Sequence, residues 1–271
     1  MAASAASSRA KLRVLCLHGF RTNVQVMQDQ TRALREVLGP NVEYIFLNGP
    51  FEAEGGTDPL IEERYAASAP FYEWWRIELI SGAVTDINSA ETSARARETV
   101  QEGDNWYMQY GRLEETLAFM DKELHRIGPV DVVVGFSQGS VLATVLANWY
   151  LLHQNKRWWK LAICVCGVRV AAVNCRALFE TPDGKPILVP VPSVHIIGKA
   201  DPLFLESHRL VQMYDPFPVA SPTERIVMEH DEGHKFPSLR SHKPFYDELL
   251  SIITQHCGDF GARGTAASAR L

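Results

Sequence analysis

Short apolar runs alternate along the chain with longer segments whose apolar residues recur at helical spacing. The runs are continuously apolar, which is typical of strands that are covered on both faces of a sheet. They are Leu12–Leu17, Val42–Leu47, Val130–Val134, Leu161–Cys166, Val191–Ile197 and Ile226–Glu229. The segments of helical period are Gln25–Leu38, Leu113–Ile127, Ser140–His153 and Phe245–His256. This alternation predicts an α/β fold with a mostly parallel central sheet, flanked by helices and joined by right-handed crossovers.

The segment from about residue 51 to residue 110 interrupts this alternation, after the second predicted strand. Long insertions in a compact domain are usually functional, and many cover a site, so we expect a lid here. The insertion carries an aromatic cluster at 71–75. We predict that Phe71, Trp74 and Trp75 line an apolar substrate pocket, while each ring could equally anchor the insertion to the domain.

Both ends of the chain differ in composition from the region between them. Residues 1–10 and 258–271 are rich in Ala, Ser and Gly, and we expect them to be flexible tails. Residues 11–257 are predicted to form a single domain, because α/β folds of this length commonly do so and can bury a full sheet.

Composition and charge exclude several classes of function. The 271 residues are 46% apolar and 22% charged, as in ordinary globular proteins. The formal net charge is −5 and no block rich in Lys and Arg is present, so nucleic acid is not an expected partner. No apolar stretch reaches the roughly eighteen residues that a membrane span needs.

The cysteines predict neither a disulfide framework nor a metal site. They are Cys16, Cys164, Cys166, Cys175 and Cys257, an odd and scattered set. The spacing of Cys164 and Cys166 is wrong for a zinc knuckle, and no second pair follows. We therefore expect a reducing compartment and no metal.

The strongest chemical signal is Gly-Phe-Ser-Gln-Gly at 135–139, placed between an apolar run and a segment of helical period. In that context G-x-S-x-G is the nucleophile elbow of the α/β-hydrolase fold, in which a tight turn presents the serine above the sheet. The helix that follows offers amide donors and a favourable dipole to developing negative charge. Ser137 is therefore the predicted nucleophile.

A serine hydroxyl needs a base, and in this fold the acid and then the histidine follow the serine along the chain. His234 fits the base best, because it follows the last predicted strand through a short loop in which Gly233 permits a sharp turn. His230 is the alternative, although it lies closer to the end of the strand. The downstream His208 and His242 fit less well.

The acid of such a triad holds the imidazole in one tautomer and stabilises the imidazolium. Asp201 is predicted for this role because it follows the strand that precedes the histidine loop. Glu206 is a weaker alternative, further into the next helical segment. His195 lies inside the strand and is expected to pack in the core.

The tetrahedral intermediate of acyl transfer needs two amide donors for its oxyanion. One is expected from Gln138, the residue after the nucleophile. The other is expected from Phe20 in the loop after the first strand, where Gly19 permits a close approach of the backbone. The adjacent His18 is expected to support this loop rather than to act as the base.

The chain also resembles a known family, the eukaryotic serine hydrolases named FSH. The similar segments are Leu-Cys-Leu-His-Gly-Phe-Arg-Thr-Asn at 15–23, Phe-Leu-Asn-Gly-Pro at 46–50, the elbow, Gly-Lys-Ala-Asp at 198–201 and Gly-His-Lys-Phe-Pro at 233–237. The resemblance implies carboxylesterase or thioesterase activity on acyl substrates, without a metal or organic cofactor. It also marks Ser137, Asp201 and His234 as the triad.

These observations predict a serine hydrolase that cleaves small-molecule carboxylic esters with an apolar acyl chain, through an acyl-enzyme. The same triad serves an acyl-CoA or acyl-carrier thioesterase, which is the alternative. A ligand receptor that retains the fold without catalysis is less favoured, because it would not need all three triad residues.

The expected location is cytoplasmic. The final residues Ala269, Arg270 and Leu271 keep the small, basic and aliphatic pattern of the Ser-Lys-Leu peroxisomal signal, which leaves a peroxisomal location as the weaker alternative.

Overall fold

The computed structural model describes residues 11–79, 108–218, 221–222 and 224–261. Its strands are β1 (Leu12–Leu17), β2 (Val42–Leu47), β3 (Phe51–Glu52), β4 (Tyr72–Glu73), β5 (Arg76–Leu79), β6 (Met108–Gly111), β7 (Val132–Phe136), β8 (Leu161–Val165), β9 (Ser193–Gly198) and β10 (Ile226–His230). Its helices are α1 (Val24–Gln30), α2 (Arg32–Leu38), α3 (Pro59–Tyr65), α4 (Leu113–Ile127), α5 (Gln138–Gln154), α6 (Arg176–Phe179), α7 (Phe204–Val211) and α8 (Lys243–Cys257). Short 3-10 turns lie at Ala66–Ser68 and Val173–Cys175.

Six strands form one parallel sheet in the order β10-β9-β8-β7-β1-β2. This confirms the predicted parallel sheet flanked by helices. All six strands end at the same edge because they run in the same direction. In open α/β sheets that edge is where ligands bind. Leu17 at the end of β1 is opposite Gly135 of β7, and Gly135 is opposite Cys164 of β8.

The two faces of the sheet belong to two apolar clusters, as the continuously apolar strands predict. In β7, Val133 packs in one cluster while Val132 and Val134 pack in the other. The first cluster includes buried residues of α4 and α5, and the second includes residues of α1, α2 and α8. The sheet therefore lies between two helical layers.

One predicted helix is divided. The pattern predicts a continuous helix over Gln25–Leu38, whereas the chain forms α1 and α2 with Thr31 between them. The buried Thr31 hydroxyl donates to the carbonyl of Met27 at 2.7 Å. A hydroxyl that bonds to the preceding turn competes with regular helical hydrogen bonding and bends the chain.

The insertion forms small elements of its own in the part that the structure describes. β3 pairs antiparallel with β4, and β5 pairs antiparallel with β6. The amide of Tyr72 donates to the carbonyl of Thr22 at 2.7 Å, which ties β4 to the loop after β1. Residues 80–107, which complete the predicted lid, lie outside the described residues, so its covering role stays a prediction.

The predicted tails lie largely outside the described residues, as do Ala269, Arg270 and Leu271. Phe260, three residues past the predicted boundary at residue 257, is buried in the second apolar cluster. Within the described part of the chain, no helix has both the length and the apolar character needed to cross a membrane.

All five cysteines are free thiols, and four of them are buried. Burial raises the pKa of Cys164 to about 11. It raises the pKa values of Cys175 and Cys257 to about 12. Burial also raises the pKa of Cys16 well above that of an ordinary thiol. These thiols remain protonated at neutral pH and behave as small apolar side chains.

Candidate active site

Ser137 lies between the last residue of β7 and the first residue of α5, at the edge where the parallel strands end. Its φ of 50° and ψ of −114° are rare for a residue with a side chain. The Ser137 amide donates to the carbonyl of Val165 at 2.9 Å, and its carbonyl accepts from Ser140 at 2.9 Å. This strained turn is the geometry predicted for a nucleophile elbow.

The glycines on either side of Ser137 are required by close backbone contacts. A Cβ at Gly135 would lie 2.5 Å from the backbone of Gly139. A Cβ at Gly139 would overlap the carbonyl of Leu17 in β1. Only residues without a side chain allow α5 to start this close to the sheet.

Replacing Gly139 by Ala is expected to lower the free energy of unfolding by about 3 kcal/mol, at the upper end of the usual cost of overpacking. The clash involves backbone atoms, which cannot rotate away. Chemical denaturation would measure the loss. Gly56→Ala is the control, because a Cβ there meets nothing closer than 3.9 Å. Equal stability of the two variants would contradict the proposed reason for Gly139.

His234 and Asp201 are brought together as predicted. Nδ1 of His234 lies 2.7 Å from Oδ2 of Asp201, whose side chain is fully buried, while the His234 side chain is 30% exposed. The other Asp201 oxygen accepts from the amide of Leu203 at 2.7 Å. With Nδ1 donating to the carboxylate, Nε2 of His234 is left as the ring's acceptor.

Asp201 is held as a carboxylate by its partners. Burial by itself would raise its pKa, but the hydrogen bond and charge of His234 and the amide of Leu203 outweigh burial and lower the pKa. Hydrogen bonds to the charged form of an acid favour that form. An ionised Asp201 can stabilise a positive imidazolium at His234.

Asp201→Asn should lower the stability of the protein near neutral pH by more than it does in acid. The depressed pKa contributes stability that is fully present above the unfolded value of about 3.9 and is lost as pH falls through the folded value. Unfolding free energies of the two proteins, measured from pH 7 downward, should therefore converge below about pH 4. Asp231→Asn is the control, since that side chain is 85% exposed. A gap that widens in acid would contradict this account.

Phe136 places His234 beside the elbow. The two rings have centroids 5.1 Å apart, and Phe136 immediately precedes Ser137. Each of the three residues predicted as a triad thus follows the carboxyl end of a parallel strand, which is β7, β9 or β10. His234 lies in the loop after β10, and Asp201 lies in the loop after β9.

Cys166 joins this group, although the sequence analysis placed it only in an apolar run. Potential ligand atoms of Cys166, Asp201 and His234 lie within 4.8 Å of one another. Burial, followed by the negative charge of Asp201, raises the Cys166 pKa to about 12. The Cys166 thiol also donates to the carbonyl of Lys235 at 3.6 Å, which ties it to the loop that bears His234. Its position directly after β8 was the available signal.

The loop after β1 packs against the elbow. A Cβ at Gly19 would lie 2.9 Å from the Phe136 ring, so the loop approaches as closely as a glycine allows. The amide of Gln138, in the first turn of α5, has no partner within the helix. The assignment of the Phe20 and Gln138 amides to an oxyanion hole stays a prediction.

The buried side chain of His18 holds this loop in place through hydrogen bonds. It is fully buried, and burial lowers its pKa to about 4. Its Nε2 accepts from the amide of Gly49 at 2.9 Å, so its Nδ1 carries the proton and donates to the carbonyl of Gly19 at 2.7 Å. A neutral imidazole with both nitrogens occupied matches the structural role expected of it.

The other candidate residues have different partners. His230 is 2% exposed in β10, burial lowers its pKa, and it packs against Phe245. His195 is buried beside Tyr214, and burial lowers its pKa to about 3. Glu206 forms ion pairs with two arginines.

Two of the three predicted pocket residues are anchored in the core. Trp74 is 0% exposed and Trp75 is 1% exposed, whereas Phe71 is partly exposed. Trp74 stacks on His18 at 4.9 Å, and Trp75 stacks on Tyr110 at 4.4 Å. These contacts account for an anchoring role, and a role for the three rings in a substrate pocket stays a prediction.

The chain is similar in sequence to known serine hydrolases and esterases. A sequence profile described as "Serine hydrolase (FSH1)" matches residues 6–246. The zebrafish protein named Esterase OVCA2 is 26% identical over 255 residues, covering 90% of this chain and 98% of the zebrafish chain. The human protein of the same name is 28% identical over 256 residues, covering 92% and 100% of the two chains.

The fold has relatives among solved structures. The crystal structure of esterase PE8 superposes with a TM-score of 0.53 at 18% identity, covering 92% of this chain and 94% of the other. A likeness at this identity bears on the fold alone. It confirms the predicted α/β-hydrolase architecture.

Proposed function

Because the chain belongs to the FSH1 family of serine hydrolases, and is therefore an esterase-type hydrolase, we propose that it cleaves carboxylic esters with Ser137, His234 and Asp201 as its triad. The observation that carries the proposal is the 2.7 Å hydrogen bond between His234 and Asp201, beside the elbow that bears Ser137. Acyl transfer requires a nucleophile, a base and an acid that orients the base, and this hydrogen bond supports the assignment of the base and the acid.

Reaction begins when His234 takes the Ser137 proton at Nε2 as the serine oxygen attacks the ester carbonyl. The amides of Phe20 and Gln138 receive the oxyanion, and Asp201 stabilises the imidazolium. His234 then protonates the departing alcohol, which leaves an acyl-serine. Water, activated by the same histidine, releases the acid and regenerates the enzyme.

Covalent labelling tests this proposal. An alkyl fluorophosphonate should modify the protein once, and mass spectrometry of a digest should place the adduct on Ser137. Prior denaturation should abolish labelling, because the activated hydroxyl depends on the folded site. A folded protein that turns over no ester and resists labelling would instead behave as a receptor and would contradict the proposal.

We further propose that the substrate has an apolar acyl chain, since Phe71 and Tyr72 keep partly exposed rings in the stretch of the insertion that contacts Gln138. A series of p-nitrophenyl esters from acetate to laurate should show rising kcat/KM with chain length. Acyl-CoA thioesters of the same lengths form the second arm of the experiment. Higher kcat/KM for the thioesters would replace the ester assignment by the thioesterase alternative.

A further inference from the structure

Arg21, the residue after Phe20, has a backbone conformation that its surroundings must maintain. Its φ is 50°, in the left-handed region that residues with a side chain rarely adopt. Such a conformation persists only where the surrounding structure holds it. Whatever holds Arg21 therefore also sets the Phe20–Arg21 peptide plane, which directly follows the plane that carries the Phe20 N–H.

The Arg21 guanidinium is bound to the insertion from inside the protein. Its Nε lies 3.1 Å from Oε2 of Glu73, and the two side chains are only 5% and 1% exposed. A second guanidinium nitrogen donates to the carbonyl of Gly56 at 3.2 Å. The guanidinium carbon also lies 4.7 Å from the centre of the Phe20 ring. A planar fork of donors thereby fixes the loop against β4 and against the segment before α3.

The two residues after Glu73 hold the start of α5. The amide of Trp74 donates to Oε1 of Gln138 at 3.2 Å, and Nε2 of Gln138 donates to the carbonyl of Trp75 at 3.1 Å. The Trp74 indole also donates to the carbonyl of His18 at 2.9 Å. The stretch 73–75 therefore contacts both segments that carry the proposed oxyanion donors.

We propose that Arg21 and Glu73 form a positioning pair that sets the spacing between the amides of Phe20 and Gln138. The inference rests on the proposed esterase function. Oxyanion donors act only when they lie about 2.7–3.1 Å from the developing charge. A small displacement of one amide therefore weakens binding of the transition state more than binding of the ester. Neither side chain touches the reacting atoms, and both act through the backbone.

The pair can be removed without leaving a charge in the core. Loss of Arg21 leaves the buried Glu73 with only the more distant Arg76, 3.8 Å away, and destabilises the fold, whereas apolar residues of similar volume at both positions are often neutral for stability. Stability and positioning can therefore be separated by comparing a single variant with a double variant.

The experiment compares Arg21→Met, Arg21→Lys and the double variant Arg21→Met/Glu73→Met with the wild type. The readouts are Tm, kcat and KM for a p-nitrophenyl ester, and the inhibition constant of an alkyl trifluoromethyl ketone. The control is Arg126→Met, which removes a surface pair with Glu123 whose arginine is 62% exposed.

The double variant should recover the Tm that Arg21→Met loses, yet kcat should stay about 10- to 100-fold below wild type with KM nearly unchanged. Affinity for the ketone, whose tetrahedral adduct carries an oxyanion, should fall by the same factor as kcat/KM. Arg21→Lys should lie between these variants and the wild type, because it keeps the charge but loses the fork. Arg126→Met should match the wild type.

A double variant that regains both Tm and kcat would overturn the inference, since the pair would then be purely structural. If the double variant does not fold, Arg21→Lys decides: wild-type kcat overturns the inference, and reduced kcat at unchanged Tm supports it. Absence of turnover in the wild type would overturn the proposed function and this inference together. An active wild type with an equally active double variant would overturn the inference alone, so the two failures are distinguishable.

Discussion

Ser137→Ala is expected to lower kcat for ester hydrolysis by about four to six orders of magnitude while leaving the fold intact. The substitution removes only the hydroxyl group, and no acyl-enzyme can form without its oxygen. The elbow should persist because it is fixed by Gly135, Gly139 and backbone hydrogen bonds rather than by the serine side chain. Steady-state turnover and thermal unfolding measure the two effects.

Ser207→Ala is the matched control for this loss. Ser207 is buried in α7, and its hydroxyl has no hydrogen-bond partner within the described part of the chain. Its removal should cost little stability and no activity. A Ser137→Ala protein that keeps a substantial part of wild-type kcat, with contaminating esterases excluded, would disprove the assignment of the nucleophile.

His234→Ala should also lower kcat, by about four orders of magnitude or more. Without the imidazole no group removes the proton of Ser137, and the carboxylate of Asp201 loses its partner. Labelling by a fluorophosphonate should slow in parallel, because it depends on the same activated hydroxyl. The measurement is kcat, together with the labelling rate at fixed pH.

His230→Ala separates the two histidines of this loop region. His230 is almost fully buried and packs against Phe245, so its removal should reduce Tm with little change in kcat for the folded protein. A large fall of kcat in His230→Ala, with activity retained in His234→Ala, would reverse the assignment of the base.

Much of the fold could be predicted from the sequence because its strands are buried on both faces. β1, β2 and α4 begin and end at the predicted residues. The break at Thr31 could not be predicted, because the apolar pattern continues through it and only a hydrogen bond to Met27 distinguishes it. β4 is two residues long, too short for any periodicity to indicate it.

The candidate site divides in the same way. Local patterns predict Ser137, Asp201 and His234, since each follows a strand, and the structure brings His234 and Asp201 together. The positioning pair could not be predicted, because a buried glutamate resembles a surface residue in sequence and Arg21 lies 52 residues from its partner. Cys166 could not be predicted, because a thiol in an apolar run is typical of a buried core residue. Only the structure shows that the ends of β8, β9 and β10 bring it close to Asp201 and His234.

The protonated, enclosed thiols make the native protein slow to react with electrophiles and oxidants, since the thiolate is the reactive form. We therefore expect the buried Cys166, beside the candidate site, to react slowly with iodoacetamide and peroxide in the folded protein. Modification of the four buried thiols must follow transient opening of the core, so the rate at which each is alkylated reports the free energy of local opening around it, and the partly exposed Cys257 is the reference. Cys164 in β8 would report the centre of the sheet, and Cys257 at the end of α8 would report the outer layer. The native cysteines therefore serve as probes of local opening at several depths, and no cysteine has to be introduced by mutation.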